Sequence, residues 1–246
     1  TLTTSSAASD VYKRQGVKIV ETAGRSPEPF MELFKEYDVK VIHKCTSVRH
    51  ALKAQSVGVS AITIDGFECA GHPGEDDIPS LVLLPQAAEA LDVPVAGCGG
   101  FSDAKSMVAA LALGGEAIVM GTRFMATKEA GIHQNVKEKM TEADELSTNL
   151  MFRTMHNTAR VFKNSVSDEV VEIESTGSAT FEDVKDLVAG QRGRVVFEEG
   201  DLEHGIWSAG ISVARVKDVP TCKEMVSRLV SDAEDIIDGR LQSIKA

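Results

Sequence analysis

Hydrophobic and polar positions along this chain follow two alternating rhythms. Short, β-branched apolar runs recur about every 20–25 residues, and each is followed by a stretch with helical spacing. The runs are Val17 to Glu21, Val39 to Cys45, Ala61 to Gly66, Pro94 to Cys98 and Ala117 to Met120. Between them, Pro29 to Tyr37, Ser47 to Ser56, Ser80 to Leu91 and Ser102 to Leu113 predict helices. The first of these puts Phe30, Leu33 and Phe34 on one face, and Thr46 or Ser47 would N-cap the second. Repeated strand–helix units predict an α/β fold with a parallel sheet. Five such units are too few to close a (β/α)8 barrel. Residues 16–125 are therefore expected to be the last five βα units of a TIM barrel whose first three strands are missing, in preference to an open doubly wound sheet.

After Phe124 the pattern changes. Thr127 to Ala143, Glu182 to Ala189 and Thr221 to Leu241 predict amphipathic helices, while Thr154 to Val166 is a mixed basic segment. Gly190 to Gly210 is Gly-rich and charged and holds the single tryptophan, Trp207, expected to be a packing anchor. Residues 126–246 are expected to form a helical cap that returns to the barrel. Residues 1–15 are rich in Ser, Thr and Ala, lack periodicity and do not begin with Met, so they are expected to be a non-native or disordered leader.

Composition narrows the function. The 246 residues are 43% hydrophobic and 26% charged, enough for a sizeable core. A net charge of −11 argues against a general nucleic-acid binder, which needs a basic face. No apolar run approaches the ~20 residues that span a bilayer. Cys45, Cys69, Cys98 and Cys222 lack paired metal spacing and are expected to be free thiols in a reducing, cytoplasmic setting. His43, His50, His133, His156 and His204 do not cluster with cysteines or acids, so no metal site is expected.

Three constellations carry candidate chemistry. Gly97-Cys98-Gly99-Gly100-Phe101-Ser102-Asp103 and Met120-Gly121-Thr122-Arg123-Phe124 follow the last two strands. In phosphate-binding barrels those two loops supply converging backbone N–H groups, and a helix opening at Ser102 adds its dipole. The plain alternative is a pair of tight βα turns. His72 sits in a Gly-rich loop at a strand's C-terminal end, where barrel enzymes put their chemistry, and its pKa class suits proton transfer; a helix-capping or core histidine is the alternative. Lys44 and Asp65 end adjacent strands and either meet a ligand or pair with each other across the mouth. Arg153, Arg160 and Lys163 are expected on a solvated or cap-packing face.

The motif Ile64-Asp65-Gly66-Phe67-Glu68-Cys69-Ala70-Gly71-His72, with the two glycine loops, resembles the nitronate monooxygenase family, formerly 2-nitropropane dioxygenases. The likeness runs from about Gly16 to the C-terminus and includes Asp218-Val219-Pro220-Thr221-Cys222. It implies an FMN-dependent TIM barrel with an added helical domain that oxidises alkyl nitronates with O2 to carbonyl compounds and nitrite, without a metal. By motif, His72 matches the family's catalytic histidine. Gly100, Gly121 and Thr122 match its FMN-phosphate loops, with Gly99 beside them; Lys44 and Asp65 match positions at the flavin, and Ala70 and Gly71 flank the isoalloxazine. Ala70 stands where many members have Gly, and Cys98 where Ser or Ala is frequent. The expected partners are a small nitronate and O2, in a monomer or homodimer. The rival expectations are an FMN-dependent enoyl-acyl-carrier-protein reductase, a flavin-free sugar-phosphate barrel, and an inactive truncated fragment.

Overall fold

The computed structural model describes residues 15–245, so the expected leader lies outside the described residues except for Gln15. Strands β1 (Ile19–Ala23), β2 (Lys40–Cys45), β3 (Ala61–Asp65), β4 (Val95–Cys98) and β5 (Ala117–Val119) form one parallel sheet in chain order. Helices α1 (Glu28–Glu36), α2 (Val48–Ser56), α3 (Ser80–Ala90) and α4 (Ala104–Ala112) make the crossovers. Ser47 is the N-cap of α2, its hydroxyl accepting from the His50 N–H, and Asp103 with Ser106 forms a capping box on α4.

Alternation along each strand divides the sheet into two unlike faces. Val41, Cys45, Ile62, Ile64 and Val95 pack against Phe34, Ala51, Leu83, Leu84, Ala87 and Ala110. This apolar layer is the core, and burying its side chains is the main favourable term in folding. The other face carries Glu21, Lys44, Thr63, Asp65 and Cys98. Register pairs Ala23 with Lys44, Lys44 with Thr63 and Asp65 with Cys98, so these polar groups gather toward the strands' C-terminal ends.

The first strand starts two residues later than its apolar run, at Ile19, because pairing with β2 (Ile19 opposite Lys40) sets its limits. The larger departures follow β5. A short helix α5 (Thr122–Met125) comes first, and the long helix expected over Thr127 to Ala143 is only α6 (Gln134–Thr141). The Lys128 N–H is committed to the Pro220 carbonyl instead. Strands β6 (Thr148–Met151) and β7 (Ala159–Phe162) pair antiparallel, and β7 lies inside the segment read as mixed basic. Helix α7 (Ser165–Glu174) has no counterpart in the sequence reading. The helix expected over Glu182 to Ala189 shrinks to α8 (Phe181–Val184). A full helix, α9 (Gly190–Glu199), occupies the stretch read as Gly-rich. The segment after Phe124 is thus mixed α and β rather than a purely helical cap. Trp207 anchors it, stacked on Phe162 at 4.2 Å and almost fully buried. Finally α10 (Cys222–Asp235) returns to the sheet domain and buries Ala233 against Ala104 and Val108 of α4. Among the described residues no helix is long and apolar enough to cross a membrane.

Candidate active site

Two adjoining cavities open at the C-terminal ends of β2 to β5. The smaller, about 190 Å³, is lined by Gly99, Gly100, Gly121 and Thr122 together with Lys44, Asp65, Glu68 and Ala70. The larger, about 670 Å³, is lined by His72, Glu75, Asn157, Thr158, His43 and His50, and again by Lys44, Asp65 and Ala70. Those three residues are the common wall. The glycine turns face one side of it, and the exposed His72 stands on the other.

Each element delivers its residue for a local reason. Gly99 and Gly100 have φ of +82° and +85°, a left-handed pair that L side chains rarely adopt. A Cβ on Gly99 would stand 2.8 Å from the Gly66 carbonyl oxygen, so the turn packs directly on the loop after β3. At Gly121 nothing lies within 4 Å of where a Cβ would stand, which leaves its backbone open to the cavity. The Thr122 hydroxyl accepts the Gly210 N–H at 2.9 Å, so the late segment around Gly210 and Ser212 closes the smaller cavity.

The electrostatics of the shared wall are uneven. Lys44 pairs with Glu21 at 3.5 Å, not with Asp65, the pair weighed from sequence. Burial works against the Lys44 charge, but Cys98, Glu21 and Asp65 together outweigh it and raise its pKa. Burial raises the pKa of Asp65 too, against hydrogen bonding from the Cys98 and Cys69 thiols and the charge of Lys44. Its Oδ1 is buried and has no hydrogen-bond partner among the described residues. Desolvation, then Asp65 itself, pushes the Cys98 thiol up to about 12, and Cys69 is raised as well. Both sulfurs are therefore protonated near neutrality and can donate to Asp65.

The His72 loop is held from across the cavity. Gly71 and Arg160 exchange two backbone hydrogen bonds, at 3.0 and 2.6 Å. The Arg160 guanidinium is buried over the Phe67 ring, 4.7 Å from its centroid, and donates to the Phe67 carbonyl at 2.9 Å. Arg160 therefore packs, and Arg153 pairs with Asp77 at 3.1 Å.

All nine residues singled out from the sequence come together here, although Gly71 contributes through its backbone pairing rather than by lining either cavity. Four contributors were missed. Glu21 reaches Lys44 and accepts from Thr63 at 3.4 Å. Glu68 accepts from the Ser80 N–H at 2.9 Å and fixes the start of α3. Gly210 and Ser212 arrive from a remote part of the chain. Glu68 sat within the quoted motif as an acid just past a buried strand, a signal that could have been used; Gly210 and Ser212 had none.

A family model described as nitronate monooxygenase matches residues 5–232, a span that includes part of the segment read as a leader. A (3aS,4S,5R,7aS)-5-hydroxy-7a-methyl-1-oxo-octahydro-1H-indene-4-carboxyl-CoA dehydrogenase from Rhodococcus jostii is 26% identical over 94% of this chain and 74% of its own. A probable nitronate monooxygenase from Bacillus subtilis is 26% identical over 84% of this chain, which spans only 61% of that relative's length. Among solved structures, FabK from Thermotoga maritima superposes with a TM-score of 0.89 at 27% identity, over 96% of this chain and 74% of that one.

Proposed function

The chain belongs to the nitronate monooxygenase family, and from that premise we propose that it is an FMN-dependent oxidoreductase that oxidises alkyl nitronates with O2 to carbonyl compounds and nitrite. The observation that carries this reading is the common wall of Lys44, Asp65 and Ala70, with glycine turns on one side and His72 on the other.

The residues present fit a flavin. The space beside Gly121 is a cradle that a side chain would fill, and the orphaned Asp65 Oδ1 lacks a polar partner at the wall. The N–H groups of Gly99, Gly100, Gly121 and Thr122 would hold the phosphate, with Ala70 flanking the ring and Gly71 fixing that loop through its backbone pairing with Arg160. When bound, FMN supplies the redox chemistry. Lys44 offsets negative charge at the wall, in an environment of reduced dielectric where one cation counts for more than in water. His72 donates a hydrogen bond to the nitronate oxygens; when a neutral nitroalkane is offered, a neutral imidazole nitrogen takes the α-proton. The reading also takes the five parallel strands as five of the eight in a TIM barrel, which would turn the polar face of the sheet inward.

The test is to load the chain with FMN and assay nitrite from ethyl nitronate. His72→Asn should stay yellow and lose about 10²–10⁴-fold in turnover. Unchanged turnover would remove His72 from the chemistry, and a parent protein that stays colourless would remove the flavin. A second reading is an enoyl-acyl-carrier-protein reductase-like enzyme; the Rhodococcus jostii relative, by its name a dehydrogenase of a carboxyl-CoA, supports it only as far as action on a thioester. Anaerobic bleaching of the flavin by NADPH would select it.

A further inference from the structure

The larger cavity has a second polar rim that the sequence motifs did not touch. The connection between β6 and β7 contains a 3-10 turn, Arg153–Met155, flanked by Phe152 at φ 62° and His156 at φ 50°. Two non-glycine residues in the left-handed region make this a strained loop that persists only where its surroundings fix it. Several bonds do so. The Phe152 N–H donates to Glu174 Oε2 at 2.7 Å, and the Asn157 N–H donates to the Phe152 carbonyl at 3.2 Å. The N–H and hydroxyl of buried Thr158 both donate to Glu75, at 2.7 and 2.6 Å.

What the loop presents is Asn157, an exposed residue that lines the same cavity as His72 and Lys44. Its placement relative to His72 is fixed twice. Gly71, the residue before His72, is paired with Arg160, and Glu75, three residues after it, is tied to Thr158 beside Asn157. The same two ties therefore hold the imidazole and the carboxamide on one rim. The second tie engages both oxygens of the Glu75 carboxylate.

We propose that Asn157 is a substrate-binding residue whose carboxamide N–H donates to an oxygen of a small oxyanion headgroup facing His72 and Lys44. The inference rests on the reading of this cavity as the nitronate site. A nitronate presents two acceptor oxygens on one atom; an amide donor opposite an imidazole and an ammonium suits that head. Asn157 supplies the donor without adding charge, so it selects for oxygen geometry where Lys44 selects for sign.

Propionate is the probe, because it has the shape and charge of ethyl nitronate without its reactive C=N bond. Binding is measured by calorimetry on the full FMN-loaded chain, and by the shift of the Asn157 side-chain amide in 15N NMR with and without FMN. Asn157→Ala should weaken propionate by about tenfold or more, the usual range for a hydrogen bond to a charged group. Asn157→Asp should weaken it further, since a like charge then faces the anion. Asn157→Ala binding propionate as the parent does would overturn the inference, and so would a parent that binds none. Nitrite formation by the parent is scored separately. Loss of propionate binding in the variants without any nitrite from the parent would keep the oxyanion site and remove the nitronate.

Discussion

Asp65 is a carboxylate placed against its own charge. It is 7% exposed, its Oδ1 has no hydrogen-bond partner among the described residues, and burial lifts its pKa above the usual 3.8. As pH rises past 3.8 the unfolded chain gives up this proton first, so over that window the native state binds more protons and loses stability with rising pH. The loss is complete once pH passes the folded-state value, and near neutrality the charged side chain is a standing cost. Asp65→Asn should therefore raise the melting temperature at about pH 7, with little change at about pH 4. Lys44 keeps its pair with Glu21, so the substitution leaves no orphaned ammonium. The same variant should bind FMN more weakly. Thermal melts at the two pH values, followed by a flavin titration, check both arms; a variant destabilised at neutral pH would contradict this account. A group kept at such cost is what a ligand site requires.

At the scale of elements, the β6–β7 hairpin acts as a clasp on the loop that carries His72. Thr158→Val removes one of the two bonds to Glu75 and leaves a valine of similar shape in a buried position. It should cost about 1–2 kcal/mol and speed amide exchange at Gly71 and Arg160. Exchange unchanged at those two amides would show that the clasp does not hold the loop. This hairpin was illegible in the sequence, and the reason is physical. Thr148–Met151 and Ala159–Phe162 are four residues each, too short to display a period of two, and all four positions of the second strand are buried. The α9 helix hid behind its glycines. Gly193 is needed because a Cβ there would stand 2.8 Å from the Ile206 carbonyl oxygen, a tertiary constraint that local propensity does not register. Strands β2 and β3 were legible because they bury β-branched residues in runs of five or six, and helices α2 and α4 because they begin at side-chain caps, Ser47 and Asp103.

For the whole molecule, the site is a meeting of distant segments. The Ile211 N–H donates to the Glu68 carbonyl at 3.0 Å and the Gly210 N–H to Thr122, so a stretch some ninety residues beyond the last parallel strand closes the smaller cavity. The glycine turns and His72 could be singled out in the chain, but that closure could not, because nothing in Gly210 or Ser212 marks them locally. The protein carries a net charge of −11, and the ligands proposed for it are anions. Backbone N–H groups and Lys44 must then hold them against the overall field. The most direct test of this account is a fluorescence titration of the chain with FMN and with riboflavin, which differ only in the phosphate. FMN should bind at least about a hundredfold tighter, a gap expected of several charge-assisted hydrogen bonds, and Gly121→Leu should abolish the difference. Riboflavin binding as tightly as FMN would contradict it.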